Sequence, residues 1–153
     1  NWGLVYCGNL AGAVPTAFIA WRAGVLEIGG GAVRETATRI AIGKFELSFE
    51  QCFWRGLLCN VLVCLAVWLC VAARTVSGKI LAILFPISAF VAIGFEHSIA
   101  NLYLIPVAML HGGLWDLAGF GSNILIVTAG NIVGGAGFVA LSYYVIYLRA
   151  RNP

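Results

Sequence analysis

The octapeptide Gly94-Phe95-Glu96-His97-Ser98-Ile99-Ala100-Asn101 decides how this chain folds, because it places an acid, an imidazole and an amide inside a long apolar run. From residue 80 to residue 115 the chain contains no other Asp, Glu, Lys or Arg. Ionisable side chains at membrane depth are costly to bury and mark functional sites. The octapeptide therefore predicts a membrane-spanning segment with a functional polar centre.

The composition agrees with a membrane protein. The 153-residue chain is 61% hydrophobic and only 10% charged, whereas a soluble domain carries roughly 25% charged residues. The net charge of +3 is spread over the ends of apolar blocks, as topology signals are, so nucleic-acid binding is not expected. The sequence shows no nucleophile–base pair and no phosphate-binding loop, so the chain is not predicted to be an enzyme.

Apolar blocks predict an all-α integral membrane protein with one broken helix. A span needs about 20 apolar residues, and the third block is too long for one straight span, since its 31 residues would cover about 46 Å of a core about 30 Å thick. We predict that this segment breaks near residues 96–98, with Ser98 as the N-cap of a second half-helix and with Pro86 and Pro106 on either side. The four predicted spans cover residues 2–21, 56–73, 80–110 and 123–148.

A polar linker over residues 22–55 separates the first two predicted spans. It holds five basic and four acidic residues and ends in an amphipathic patch, Phe45–Glu50. Such a patch could lie in the membrane interface.

Basic residues near the span ends predict the orientation. Arg74 and Lys79 lie in one short turn, and Arg149 and Arg151 lie in the tail. The positive-inside rule puts both in the cytoplasm. The five basic residues of the linker argue for the opposite orientation, but its charges are nearly balanced.

A weak internal repeat predicts a duplicated architecture. The stretch Gly8–Ala13 of the first span recurs as Gly130–Ala136 in the last, and each places an Asn between small residues. Taken singly, each is equally well explained as a helix-packing motif with an amide that bonds a neighbour. Taken together, they favour inverted repeats with a substrate site on broken helices. Spans two to four would form one repeat, and the first span would end an earlier one.

The chain begins with Asn and has no Met before Met109. This start predicts that the chain is the later part of a longer protein.

The remaining metal-binding residue types predict neither a metal site nor another cofactor. The five cysteines form no C-x-x-C pair, which favours packed or lipid-facing thiols over a tetrahedral metal site. A haem held by His97 and His111 is not favoured, because 14 residues of helix separate them by about 21 Å. His111 lies near a span end and is predicted to be interfacial. The cysteines are Cys7, Cys52, Cys59, Cys64 and Cys70.

Four blocks in order resemble the formate/nitrite transporter family of bacterial and archaeal membrane proteins. The resemblance implies an aquaporin-like fold, six spans in each protomer, a pentamer and one pore in each protomer. This chain matches only the third to sixth spans, so alone it is not expected to complete a pore. The matching blocks are Asn1-Trp2 with Tyr6–Ala13, then Arg55–Asn60 with Val63–Trp68, then the octapeptide, and then Gly130–Gly135.

The resemblance also implies roles for individual side chains. His97 matches the single histidine at the pore centre, and Glu96 matches the acid that orients groups beside it. Asn60 matches a polar residue that hydrogen-bonds near the histidine, and Asn131 matches an asparagine close to the pore. Ser98 and Asn101 of the octapeptide are assigned to the substrate pathway, Phe90 and Val63 to apolar constrictions, and Lys44 to the outer vestibule.

The implied function is a channel or transporter for small monovalent anions in the cytoplasmic membrane of a prokaryote. An anion loses strong hydration in an apolar constriction, and an imidazole there could donate a hydrogen bond or a proton to it. The continuations Leu102–Pro106 and Tyr143–Arg149 look more like formate channels than nitrite channels, so formate is favoured over nitrite and hydrosulfide. A membrane subunit without transport activity, or an inactive truncated fragment, is the alternative of another class.

Overall fold

The computed structural model describes residues 1–112 and 115–149. As the sequence predicts, this part of the chain is α-helical and contains no strand. Arg151, one of the two basic residues of the predicted cytoplasmic tail, lies outside the described residues. The helices are α1 (Trp2–Arg22), α2 (Ala32–Phe45), α3 (Phe49–Ala72), α4 (Val76–Ile93), α5 (Ser98–Gly112) and α6 (Leu117–Ile132), and a 3₁₀ turn covers Val25–Glu27.

The last helix changes its winding along its length. After α6 the chain continues in π-helical turns over Val133–Ala140 and Tyr144–Leu148, with a short α-helical turn at Leu141–Tyr143 between them. A π-helix bonds each residue to the fifth one along and is rare in proteins. Together these segments form one continuous helix over Leu117–Leu148, which we call the C-terminal helix.

Four of these helices are long and apolar enough to cross a bilayer: α1, α3, α4 and the C-terminal helix. Helix α5 is apolar but shorter. The 18 residues of α4 correspond to about 27 Å at about 1.5 Å per residue, close to the thickness of the hydrocarbon core. The chain is therefore a multi-pass membrane protein.

The predicted break in the third apolar segment is present and has a specific backbone geometry. Helix α4 ends at Ile93, and Gly94 adopts the left-handed conformation with φ +77°. The Phe95 N–H donates to the Phe90 carbonyl at 2.9 Å, as in a Schellman cap. The break thus covers residues 94–97, slightly earlier than predicted, and Ser98 is the first residue of α5 rather than its N-cap.

The structure corrects the predicted linker. Within residues 22–55 the chain forms the 3₁₀ turn and helix α2, and α3 begins at Phe49 rather than at residue 56. The amphipathic patch Phe45–Glu50 spans the end of α2 and the start of α3, and its place in the membrane interface stays a prediction. The C-terminal helix begins at Leu117 rather than at residue 123, because the uncharged residues before Asn123 extend it.

The chain packs as two compact units. The first consists of Asn1–Ser48 with Ser98–Leu125. Its helix α5 packs against α1 and α2. Its core contains the buried residues Ala17, Leu26 and Val107, with Trp21, Tyr103 and Leu110 packed around them.

The second unit consists of Phe49–His97 and the residues from Ile126 onward. Helix α3 is its centre, since it packs against both α4 and the π-helical part of the C-terminal helix. Its buried apolar residues come mainly from α3, namely Cys52, Leu57, Cys59 and Ala66, with Val127 and Val139 from the C-terminal helix.

Candidate functional site

Two glycines let α3 and the C-terminal helix approach backbone to backbone. A Cβ atom at Gly130 would lie 2.3 Å from the Phe53 carbonyl oxygen, and one at Gly134 would lie 2.2 Å from that of Leu57. Side chains never tolerate such distances, so only glycine fits here. Small residues four apart are typical of close helix contacts in membranes. The predicted packing role of this motif is therefore observed in the second unit.

The close approach brings Asn131 onto two backbone carbonyls. Its Nδ2 donates to the Gly56 carbonyl at 2.8 Å and to the Glu96 carbonyl at 3.0 Å. Asn131 is 8% exposed, and a buried amide is stable only when it is hydrogen-bonded. Since Gly56 lies in α3 and Glu96 in the break, one side chain ties the break to α3. We call this arrangement the Asn131 bridge.

Asn60 supports the same bridge from α3. Its Nδ2 donates to the backbone carbonyl of Asn131. A Cβ atom at Gly135 would lie 2.6 Å from this Nδ2, so the glycine leaves room for the Asn60 side chain. The two asparagines that the sequence singled out thus come together.

Glu96 and His97 lie at the break itself. Glu96 is 3% exposed, and its backbone N–H donates to the Arg55 carbonyl at 3.4 Å. The half-buried His97 ring stacks on Phe90, with ring centroids 6.0 Å apart and an interplanar angle of 28°. The predicted pore-centre histidine and one predicted constriction residue are therefore neighbours.

Val63, the other predicted constriction residue, lines an open groove between α3 and α4. The groove has a volume of about 400 Å³, an almost wholly apolar lining, and Lys79 as its one charged lining residue. Val63 lies three residues after Asn60, so both side chains are on neighbouring positions of one helix face.

The other predicted site residues belong to the first unit. Ser98 and Asn101 lie in the first turn of α5 and are buried, and Lys44 lies half-buried in the last turn of α2. The Nδ2 of Asn101 donates to Oδ1 of Asn123 at 2.8 Å. The Nδ2 of Asn123 donates to the Lys44 carbonyl at 3.4 Å. Asn101 and Lys44 are thus linked through an asparagine that sequence reasoning missed, although an amide at the edge of an apolar block was a usable signal.

A second missed group surrounds His111. Its Nε2 lies 2.9 Å from Oε1 of Glu27 and 3.0 Å from a guanidinium nitrogen of Arg34. His111 is therefore paired with polar residues of the linker, near the end of α5, where the sequence predicted an interfacial residue. The sequence showed Glu27 and Arg34 in the linker, but it gave no sign that His111 lies beside them.

The two copies of the internal repeat have different surroundings. A Cβ atom at Gly8 or Gly12 of α1 would have no neighbour within 4 Å among residues 1–112 and 115–149, and Asn9 is only half-buried. The matching glycines and asparagine of the C-terminal helix are buried.

The search for a metal site gives a negative result: no group of three His, Cys, Asp or Glu side chains within the described ranges could hold an ion.

Comparison with known proteins identifies relatives of this chain and of its fold. Residues 1–145 match the profile of a family described as "Formate/nitrite transporter". The chain is 45% identical over 97% of its length to the "Probable formate transporter" of Methanothermobacter thermautotrophicus, and 37% identical over 95% to "Formate channel FocB" of Escherichia coli. A solved structure described as "Pentameric formate channel with formate bound" superposes with a TM-score of 0.85 at 35% identity, covering 97% of this chain.

The chain spans a little over half the length of the curated relatives that it matches. It covers 59% of the Methanothermobacter protein and 58% of the Escherichia coli protein. It covers 66% of the pentameric channel's chain. The resemblance drawn from the four sequence blocks is confirmed over nearly all of this chain.

Proposed function

The chain belongs to the formate/nitrite transporter family, and we propose that it supplies the histidine-bearing half of a channel for small monovalent anions, with formate as the favoured substrate. The observation that carries the proposal is the break at residues 94–97, where a buried acid and a half-buried histidine interrupt an apolar segment. The Asn131 bridge supports it, because one side-chain nitrogen, Nδ2 of Asn131, donates both to Glu96 in the break and to Gly56 of α3 and so holds this irregular backbone next to α3.

The polarity of the break suits an anion. Helix α5 begins at Ser98, so the positive end of its dipole lies at its first turn. His97 directly precedes this turn. We expect an anion to be favoured beside the positive end of this dipole.

His97 would act on the anion by donating a hydrogen bond or a proton. A bare formate ion is strongly disfavoured in an apolar slit, because it loses its hydration. Formic acid is neutral and crosses more easily. An imidazole suits this exchange, since histidine changes its charge in the physiological pH range. Phe90, which stacks on the His97 ring, and Val63 would form the apolar barriers that exclude water and larger ions.

We further propose that the native protein is a homopentamer in the cytoplasmic membrane of a prokaryote. The pentameric relative supports the assembly, and the family supports a transport protein rather than an enzyme. The basic turn at Arg74 and Lys79 would face the cytoplasm. Nitrite is the second candidate substrate, because the family description includes it.

The test is anion uptake by the native protein reconstituted into liposomes. Formate and nitrite influx are measured by stopped flow between pH 5 and pH 8, for the wild type, for His97→Asn and for His111→Asn. We expect His97→Asn to abolish the pH dependence of formate influx and His111→Asn, at the end of α5, to retain it. An unaltered pH profile in His97→Asn would refute the role of His97. Wild-type liposomes no more permeable than empty ones would refute anion transport.

A further inference from the structure

An open groove with an aromatic lining lies in the second unit, away from the break. The Trp68 ring of α3 stacks on the Tyr143 ring of the C-terminal helix, with centroids 3.7 Å apart and an interplanar angle of 8°. The Tyr147 ring continues the stack, 5.3 Å from that of Tyr143 between centroids. We call this feature the aromatic groove, and its lining residues are Trp68, Ala140, Tyr143, Tyr144, Tyr147 and Leu148.

The aromatic groove is large enough for a ligand and open to the surroundings of the helices. Its volume is about 510 Å³, and ligand pockets usually have about 300–1,000 Å³. Trp68, Tyr144 and Tyr147 are 42%, 53% and 58% exposed in the part of the chain that the structure describes. Both helices are membrane spans by length and composition, and Trp and Tyr are typical of the level where a span meets the lipid headgroups.

The two helices that form the groove run side by side in the same direction. Asn131 of the C-terminal helix bonds to the Gly56 carbonyl of α3. Twelve residues further along each chain segment, Tyr143 stacks on Trp68. Because the contact is kept over this length, the two helices end on the same side of the second unit.

Each of these helices leads into an arginine. Arg74 follows Trp68 by six residues, directly beyond the end of α3, and Arg149 follows Tyr143 by six residues. Both are exposed, and neither has an acidic partner within 4 Å among residues 1–112 and 115–149. Two positive charges without a partner in the described chain therefore lie beyond one end of an aromatic, largely apolar groove.

We propose that the aromatic groove binds an acyl chain of an anionic phospholipid, whose phosphate is held by Arg74 and Arg149. Basic pockets between membrane spans bind anionic headgroups on the cytoplasmic side, and arginine forms paired hydrogen bonds with phosphate. A zwitterionic headgroup brings its own cation beside the two arginines, so its binding is weaker. Lipid binding at this surface is independent of the transported ion.

The first experiment measures lipid binding to the intact native protein by native mass spectrometry, with phosphatidylglycerol or phosphatidylcholine added to the detergent. We expect the wild type to bind phosphatidylglycerol more tightly. Arg74→Gln and Arg149→Gln should each weaken that binding about fivefold, the effect of one basic residue near an anionic lipid surface, and should leave phosphatidylcholine binding unchanged. Equal binding of the two lipids to the wild type would overturn the proposal.

Lys79→Gln is the matched charge control, because it removes a positive charge from the same basic turn as Arg74→Gln. Lys79 lines the groove between α3 and α4 and not the aromatic groove. It should change phosphatidylglycerol binding by less than about twofold, since a distant exposed charge is screened by salt. An equal loss in Lys79→Gln and Arg74→Gln would mean diffuse surface attraction and would overturn the site.

A second pair of variants tests the groove without touching the arginines. Ala140→Phe places a ring in the groove from one of its lining positions and should abolish the preference for phosphatidylglycerol. Val145→Phe is the control, since Val145 is 48% exposed on the same helix and does not line the groove. Preference retained in Ala140→Phe, or lost equally in both variants, would contradict binding in the groove.

Tryptophan fluorescence in reconstituted bilayers gives a test that needs only conservative substitutions. Acyl-brominated phosphatidylglycerol or phosphatidylcholine is added, and the quenching lost in Trp68→Phe reports contact at Trp68. Phosphatidylglycerol should quench Trp68 more strongly at equal mole fraction, whereas the same subtraction with Trp54→Phe, at an exposed position of α3 outside the groove, should show no preference. Equal quenching of Trp68 by both lipids would mean ordinary boundary lipid. Quenching by neither would mean that protein covers the groove, and either result would overturn the proposal.

Discussion

The substitution Gly134→Ala should separate α3 from the C-terminal helix. The added Cβ would lie 2.2 Å from the Leu57 carbonyl oxygen, and ordinary contacts begin at 3.4 Å, so the two backbones must move apart by about 1.2 Å. The same movement would lengthen the bond from Asn131 to the Gly56 carbonyl, now 2.8 Å, to about 4 Å, beyond hydrogen-bonding range. Overpacking of this kind costs about 1–3 kcal/mol, and the lost hydrogen bond adds about 1 kcal/mol.

The assay is unfolding of the native protein by titration with a denaturing detergent, followed by circular dichroism. We expect the free energy of unfolding to fall by about 2–4 kcal/mol in Gly134→Ala. Gly137→Ala on the same helix is the control, since its Cβ would meet only Val133 Cγ1, at 3.7 Å. The control should be unchanged or slightly stabilised, because alanine favours helix. Equal stability of the two variants would refute the argument that backbone contact at Gly134 holds this unit together.

Three further substitutions test the break and the linker in the same titration. Asn131→Leu removes the donor to two buried carbonyls and should cost about 2 kcal/mol, whereas Ser142→Ala, whose hydroxyl donates within its own helix, should cost under about 0.5 kcal/mol; similar losses would contradict the Asn131 bridge. Gly94→Ala places a side chain at φ +77° and should cost about 1–2 kcal/mol, and no loss would mean that α4 can end without the left-handed residue. Glu27→Gln removes the carboxylate that pairs with Arg34 at 3.6 Å and lies 2.9 Å from His111. Because Glu27 is about half exposed, it should cost under about 1 kcal/mol, and the difference should vanish near 1 M salt; a loss that persists in high salt would contradict an ion-pair origin.

Much of the fold was predictable because membrane insertion follows local composition. Apolar length predicted where the helices lie, and the surplus length of the third block predicted its break. The polar centre was predictable for the same reason. Glu96 is the only Asp, Glu, Lys or Arg between residues 80 and 115, and His97 lies directly beside it. The helix in the linker was missed because α2 mixes charged and apolar residues without a strong apolar face.

The candidate site was predictable only in part. The sequence indicated that Asn60, Asn131 and Glu96 belong together, but only through the family resemblance. Asn123 was not found, because nothing in its own neighbourhood predicts a partner in the last turn of α2. The same holds for His111, whose contact with Glu27 depends on how the linker folds back onto α5.

The internal repeat shows most clearly what sequence alone determined and what it did not. Asn9 and Asn131 sit in nearly identical local sequences, which is enough to predict an amide between small residues in an apolar helix. Only the tertiary structure distinguishes them. Asn131 bonds to carbonyls 75 and 35 residues away. Asn9 is half-buried, and no atom of the described residues comes within 4 Å of a Cβ placed at the neighbouring Gly8 or Gly12. Hydropathy and helix formation are properties of a short window, so the sequence by itself determined them. The partner of a buried amide is set by which backbones meet, and that was decided only when α3 packed against the C-terminal helix.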